Sequence, residues 1–233
     1  MIRVGIICAV DKELEPFLSH IHNCKTSKKA MLTFYEGTIS GVNVVALFCG
    51  VGKTNAAIAT QILIDGYSVN LIINAGTAGG MESTLEIFDT VVAIDVAHHD
   101  VHEGILTDFH PWMPSIYFNS DETLLDMAKV VSNRFPSGHK ICFGRMVTGE
   151  KFITDEGRDE INSIFKPLSV DMETASIAHT CYVNVVPFIS IRSITDSAAL
   201  SGEENFEKNC VVASIISKDF VLELLSEIRN GYI

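Results

Sequence analysis

The sequence predicts an α/β fold: three layers, α/β/α, around a central mixed, mostly parallel twisted sheet, in one domain spanning 1–233. Three observations lead there. Apolar runs of strand length alternate with segments of ten or more residues whose apolar positions recur at helical spacing. The runs are apolar throughout instead of alternating, as strands covered on both faces must be. No charge run or Pro/Gly/Ser-rich stretch marks a linker that would divide the chain.

Val4 to Val10 is the first such run, and Asp11 opens a segment with Leu14, Phe17, Leu18 and Ile21 at helical spacing. Met31 to Ile39 and Val42 to Cys49 flank Ser40-Gly41, which predicts an antiparallel hairpin. Lys53 to Asp65, with Ala56, Ala57, Ile58, Ile62 and Leu63, predicts an Ala-rich helix, and Val69 to Asn74 another buried strand. Gly76-Thr77-Ala78-Gly79-Gly80 then predicts a loop with positive φ angles. Further strands are expected at 88–97, 140–147 and 186–194, with helices at 121–134, 155–165, 173–183 and 204–229. Ligands of such sheets bind beyond the carboxyl ends of the strands. Glu13, Thr77, Glu173 and Asp196 all fall at predicted ends, which makes those ends the expected site.

The hydrophobic fraction is 47%, enough for a core on both faces of a sheet, which argues against disorder. With 29 acidic against 17 basic residues, the net charge is −12. That field repels phosphate backbones and anionic lipid surfaces, so neither nucleic acid nor membrane is an expected partner. The apolar start is followed at once by Asp11-Lys12-Glu13, unlike a signal peptide. No apolar stretch approaches the roughly 20 residues of a spanning helix. Six cysteines without C-x-x-C spacing read as buried thiols in a reducing compartment, and a cytoplasmic location is expected.

Each motif has a plain reading beside a functional one. Gly50-Val51-Gly52-Lys53-Thr54 is no P-loop, because the required earlier glycine is Leu47. It is a tight strand-to-helix turn, alone or with its backbone on a ligand. The glycine stretch at 76–80 lacks G-x-G-x-x-G, but glycines after a buried strand let amides approach a sugar. His98-His99-Asp100 with His102 has no zinc-like spacing, so loop histidines making hydrogen bonds are expected, with no metal and no cofactor. The acids of Val170-Asp171-Met172-Glu173 and of Arg192-Ser193-Ile194-Thr195-Asp196 either complement helix N-termini or line a site.

Together these segments, with Thr148-Gly-Glu-Lys-Phe-Ile153, resemble the 5′-methylthioadenosine/S-adenosylhomocysteine nucleosidases of the nucleoside phosphorylase superfamily. The resemblance runs from Gly5 to the last predicted helix. It implies that Glu13 activates the attacking water, assisted by Thr77, which replaces the more usual serine, and by Arg192. Glu173 matches the acid that bonds the ribose hydroxyls, and Met172 packs on the sugar. Phe152 matches the aromatic that stacks on adenine, and the backbone of Ile153 reads the base edge. Asp196, oriented by Thr195, matches the acid at N7 and the exocyclic amine. Val10, Val51 and Phe206 are expected to line the same pocket.

Adenine leaves poorly as an anion, so the implied chemistry is protonation at N7 by Asp196 while the ribose gains oxocarbenium character. Water held by Glu13 then adds to the anomeric carbon, and Glu173 supports the cationic sugar. For this Asp196 must hold its proton more tightly than free aspartate, whose pKa is about 3.9. The implied substrates are methylthioadenosine and S-adenosylhomocysteine, with 5′-deoxyadenosine left open. A homodimer is also implied, in which the divergent segment 98–117 covers the partner's 5′ pocket with Phe109, Trp112 and Met113; a plain dimer contact is the alternative. Two rival functions stand beside hydrolysis. A phosphorylase would need arginines where the chain has Ala9 to Glu13 and Asn74 to Thr77, and a non-catalytic nucleoside-binding protein would not need both Glu13 and Asp196.

Overall fold

The computed structural model describes residues 2–109, 113–136, 138, 140–154, 156–197 and 202–231. In chain order the elements are β1 (Arg3–Cys8), α1 (Asp11–Leu18), β2 (His22–Lys29), β3 (Leu32–Ile39), β4 (Val42–Phe48), α2 (Lys53–Tyr67), β5 (Leu71–Gly80) and β6 (Thr90–His98). Then come α3 (Glu103–Thr107), β7 (Phe118–Asn119), α4 (Glu122–Arg134), β8 (Ile141–Thr148), α5 (Arg158–Phe165), β9 (Ser169–Asp171), α6 (Thr174–Asn184), β10 (Phe188–Asp196) and α7 (Glu203–Gly231).

The sheet runs β10-β6-β8-β9-β5-β1-β4-β3-β2, and β10 also pairs with β5. That extra pairing closes five strands, β5, β10, β6, β8 and β9, into a ring, from which β1 to β4 extend as an open wing. The pairings β4–β1, β1–β5, β5–β10, β6–β8 and β8–β9 are parallel; β2–β3, β3–β4, β6–β10, β5–β9 and β6–β7 are antiparallel.

Strand side chains alternate between faces, and here the alternation fills two cores. Val4, Ile6 and Cys8 of β1, with Val44 and Ala46 of β4, pack under α1, α4 and α7. Ile7, Val45 and Leu47 point the other way, against Ala56, Ala59 and Leu63 of α2 and Ala175 and Ile177 of α6. A smaller cluster seats α5 through Ile161 and Phe165 against Met81, Val147 and Val170. No helix among the described residues is long and apolar enough to cross a membrane.

Three expectations need correction. The stretch 76–80 is no loop: it continues β5, and its register pairs Gly76 with Arg192, Thr77 with Ser193 and Gly79 with Asp196. Only Gly76 in it has a positive φ, +148°. The buried ladder with β10 supplies backbone partners that a loop there would lack. The cysteines are not uniformly buried, because Cys24 lies exposed on β2 and Cys142 is half-buried, whereas Cys8, Cys49, Cys181 and Cys210 are buried, and all six are free. His98 is not a loop residue but the buried end of β6, edge-on to Phe118 at 6.0 Å, and among the described residues its Nδ1 has no hydrogen-bond partner. Burial, with Lys53 and His179 adding to it, pushes its pKa down to about 4, so the ring is neutral.

Candidate active site

The turn after β1 and the strand β5 build the first half of the site. Glu13 sits in the first turn of α1, where its carboxylate meets amides left free at a helix start. Its Oε2 accepts from the Ala9 and Val10 amides at 2.7 and 3.3 Å. Its Oε1 accepts from the Thr77 amide and hydroxyl at 2.7 and 2.8 Å. Gly76 makes this approach possible: a Cβ there would stand 2.4 Å from the Glu13 carboxyl carbon and from Oε1. The Gly76 amide is held by Ser217 of α7 at 3.0 Å, and the same hydroxyl donates to the Ile191 carbonyl.

Arg192 projects from β10 into the middle of the site and is almost fully buried, at 1% exposure. Three carboxylates surround it: Asp171 at 3.2 Å, Glu173 at 3.3 Å and Glu13 at 3.6 Å. Its Nη1 also donates to the Thr77 carbonyl at 2.9 Å and its Nε to Asn74 at 3.1 Å. Burial works against the charge of Arg192, but the three acids outweigh it and hold its proton more firmly than usual. One guanidinium cannot neutralise three acids, so the site keeps excess negative charge. Burial pushes Glu173 up to about 7; Asp171 and Glu13 add to that, against Arg192 and the Gly52 amide.

The remaining supports come from turns. Gly50 and Gly52 adopt φ of +87° and +103°, and this turn aims the Gly52 amide at Glu173 Oε1, 2.9 Å away. Asp171 Oδ1 caps α6 by accepting from the Glu173 and Thr174 amides at 3.2 and 3.1 Å. At the carboxyl end of β10, Thr195 donates to Asp196 Oδ1 at 2.9 Å, while the buried Oδ2 has no partner among the described residues. Burial raises the Asp196 pKa, against the pull of the Thr195 hydroxyl and the charge of Arg158. That direction is the one an acid must have to carry a proton near neutrality.

A single cleft takes in Glu13, Thr77, Glu173, Arg192 and Asp196 together with Val51, Phe152, Ile153, Met172, Thr195 and Phe206. Phe152 and Phe206 meet edge to face across it, centroids 6.4 Å apart. Val10 is not in its lining; it caps α1, and the neighbouring Ala9 faces the cleft instead. Phe109 is far more exposed, at 76%, and does not line this cleft. Met113, expected over a partner's pocket, is 3% exposed in its own chain's core, because it packs into the α2/α6 side of the sheet. Trp112 lies outside the described residues.

Sequence reasoning left Asp171 between a helix-capping and a site role and gave Asn74 and Lys151 no role. Asp171 stands two residues before Glu173 and lines the cleft, yet an acid before a helix is fully explained by capping. Asn74 Oδ1 gathers Thr174, Ser190 and Arg192 at 2.7, 2.9 and 3.1 Å, a role visible only once β5, α6 and β10 are assembled. Among the described residues, no group of three His, Cys, Asp or Glu side chains is arranged to hold a metal ion. A cleft with a carboxylate at each end, a third beside a buried arginine, and aromatic walls suits a flat base joined to a polyhydroxylated ring.

Residues 3–226 match the model of the Phosphorylase superfamily. A relative from Exiguobacterium, named 5′-methylthioadenosine/S-adenosylhomocysteine nucleosidase, is 35% identical, covering 98% of this chain and all of its own. The structure of a nucleosidase of that name from Neisseria meningitidis, in complex with methylthio-immucillin-A, superposes with a TM-score of 0.89 at 31% identity, over 97% of this chain and 99% of the other. The enzyme from Colwellia psychrerythraea in complex with adenine gives the same TM-score and identity, over 97% and 95%.

Proposed function

The chain belongs to the phosphorylase superfamily and, within it, to the 5′-methylthioadenosine/S-adenosylhomocysteine nucleosidases, and from that premise we propose that its cleft hydrolyses the N-glycosidic bond of 5′-thio-substituted adenosines. The products are adenine and the 5′-substituted ribose; methylthioadenosine and S-adenosylhomocysteine are the substrates, with 5′-deoxyadenosine a third to be tested. The observation that carries this reading is that Glu13 and Asp196, from distant parts of the chain, line one cleft with Phe152 and Met172 between the same walls.

Asp196 donates its proton from Oδ2 to N7 of the base, and the electrons of the C–N bond pass to adenine as it departs. The ribose ring becomes cationic, and the surplus of carboxylates around Arg192 stabilises it. Glu173, held by the Gly52 amide, bonds the ribose hydroxyls and supports that charge. Glu13, fixed by Thr77 and by the Ala9 and Val10 amides, takes the proton of the attacking water. Phe152 stacks on the base, the Ile153 backbone reads its edge, Met172 packs on the sugar, and Val51 and Phe206 face the 5′ substituent. The same negative charge disfavours phosphate as the nucleophile, which supports hydrolysis over phosphorolysis.

We also read residues 1–233 as one nucleosidase domain acting as a homodimer in the cytoplasm, with Phe109 and Trp112 on the segment that meets the partner subunit. The test is adenine release from a panel of 5′-substituted adenosines, with adenosine and inosine as controls, each with and without phosphate. Release without phosphate and preference for the thioethers are expected. Strict phosphate dependence overturns hydrolysis, and preference for inosine overturns the role of Asp196.

A further inference from the structure

Arg158 opens α5 and is 5% exposed, yet among the described residues no carboxylate reaches ion-pair distance of it. Its Nη1 donates to the Gly80 carbonyl at 2.6 Å and lies 3.3 Å from the Met81 sulfur. Its Nε and Nη2 are buried without hydrogen-bond partners among the described residues. A buried guanidinium ordinarily has a counter-charge, since desolvating it alone is costly. The strand step that Arg158 grips is the one Asp196 rests on. Gly79 pairs with Asp196 in register; a Cβ on Gly79 would lie 3.0 Å from Asp196 Oδ2, and one on Gly80 3.3 Å from the Asp196 carbonyl oxygen.

An unpaired buried cation and an unpartnered buried carboxyl oxygen thus flank the same two glycines. We propose that Arg158 is a positioning residue whose counter-charge appears during the reaction: the carboxylate that Asp196 becomes when it passes its proton to the base. The step balances without any further reactant. The Oδ2–H bond breaks, N7–H forms, the glycosidic electron pair moves into adenine, and the negative charge left on Asp196 faces a cation already in place. Before transfer, the neutral acid leaves Arg158 without an opposite charge; afterwards the two charges attract each other across the glycine step. Arg158 also ties the start of α5, and with it the preceding segment that carries Phe152 and Ile153, to the strand under Asp196.

Among the described residues, Arg158 is the charged group that acts on Asp196. Thr195 on its own strand offers a hydroxyl, β5 offers glycine backbone, and α7 approaches with the neutral Asn209, which bonds the Thr195 carbonyl, and Phe206. This inference rests on the proposed hydrolysis, so the wild type must first release adenine; if it does not, the parent reading fails and Arg158 is not at issue.

The test is Arg158→Gln, which removes the charge and keeps a donor for the Gly80 carbonyl, beside Arg158→Lys, which keeps the charge. The pH profile of kcat/KM falls on its basic side as the acid loses its proton. Without the cation the acid holds its proton longer, so in the Gln variant that limb moves up by about one pH unit, a shift typical of losing a nearby opposite charge. On the plateau below the limb, kcat falls about tenfold, because the new carboxylate lacks its partner. In the Lys variant the limb stays in place and kcat recovers most of that loss. A Gln variant whose limb stays within about 0.2 units of wild type overturns the proposal. If the Gln variant does not fold, the Lys variant decides: an unmoved limb supports the assignment, and a limb displaced by a unit sinks it.

Discussion

Replacing Gly76 with alanine should disable the nucleophile-activating end of the cleft while leaving the base end intact. The added Cβ would stand 2.4 Å from Glu13 Oε1 and 2.6 Å from Oε2, about 1 Å inside ordinary contact. The strand cannot retreat easily, since Ser217 holds the Gly76 amide and β10 pairs with it on one side. The carboxylate must therefore withdraw, and its bonds of 2.7 and 2.8 Å to Thr77 stretch past useful length. Each such charge-assisted bond contributes about 1.5–3 kcal/mol, and an alanine held at that φ adds about 1–3 kcal/mol of strain. Partial relaxation brings the expected loss of stability to roughly 3–5 kcal/mol, within the range a domain survives at 25 °C.

Misplacing a catalytic group by about 1 Å costs on the order of 10²-fold, so kcat/KM should fall by about 10²–10³. Adenine affinity, which the proposed mechanism assigns to Phe152 and Asp196, should stay within about threefold. Urea unfolding, coupled adenine-release kinetics and calorimetric titration with adenine measure the three quantities. Gly66→Ala is the control: its Cβ meets the flexible end of Lys29 at 2.8 Å and Ile62 at an ordinary 3.7 Å, so stability should hold or rise by up to about 1 kcal/mol. A folded Gly76→Ala enzyme with kcat/KM within about threefold of wild type would refute the reasoning.

Glu173 gives a pH prediction for stability. Its folded pKa is raised to about 7, so between the ordinary carboxylate range and that value the folded protein holds a proton that the unfolded chain has lost. Stability from this group is complete below the unfolded pKa and declines as pH rises toward 7, by at most about 1.4 kcal/mol per pH unit. Urea midpoints of Glu173→Gln should decline less steeply over that window than those of wild type, and parallel curves would argue against it. Asp196→Asn cannot supply the proton, so its kcat/KM should drop about 10²–10⁴-fold, measured by adenine release, and an unchanged rate removes Asp196 from the mechanism. Met113→Ala, hollowing a buried position, should cost about 2–5 kcal/mol in urea unfolding, whereas exposed Phe109→Ala should change stability by less than about 0.5 kcal/mol.

What was legible in the sequence followed from hydrophobic pattern and turn chemistry. The strand expected at 186–194 is β10, buried along its length, and Ser40-Gly41 does turn β3 into β4. The helix expected at 121–134 begins where the Asp121 side chain caps the Leu124 amide. β2 escaped notice because His22 to Lys29 has no apolar alternation: it is a mostly exposed strand held through its backbone to β3. The glycines at 76–80 looked like a loop because propensity weighs residues singly, while their strand depends on a partner more than a hundred residues away. Glu13 and Asp196 were legible as acids at strand ends. Asn74, Asp171 and Arg158 were not, since their meaning lies in contacts between segments that the sequence keeps apart.

The ring in the sheet has a consequence for self-assembly. Because β5, β10, β6, β8 and β9 close on one another, the long free edge among the described residues falls to β2. An open edge is a template on which another chain can add a strand, the first move of aggregation. Here that edge carries Lys25, Lys28 and Lys29 and no acidic residue, in a chain whose net charge is −12. Two copies meeting edge to edge would set lysine against lysine, so the molecule keeps its basic strand where it discourages growth into fibres.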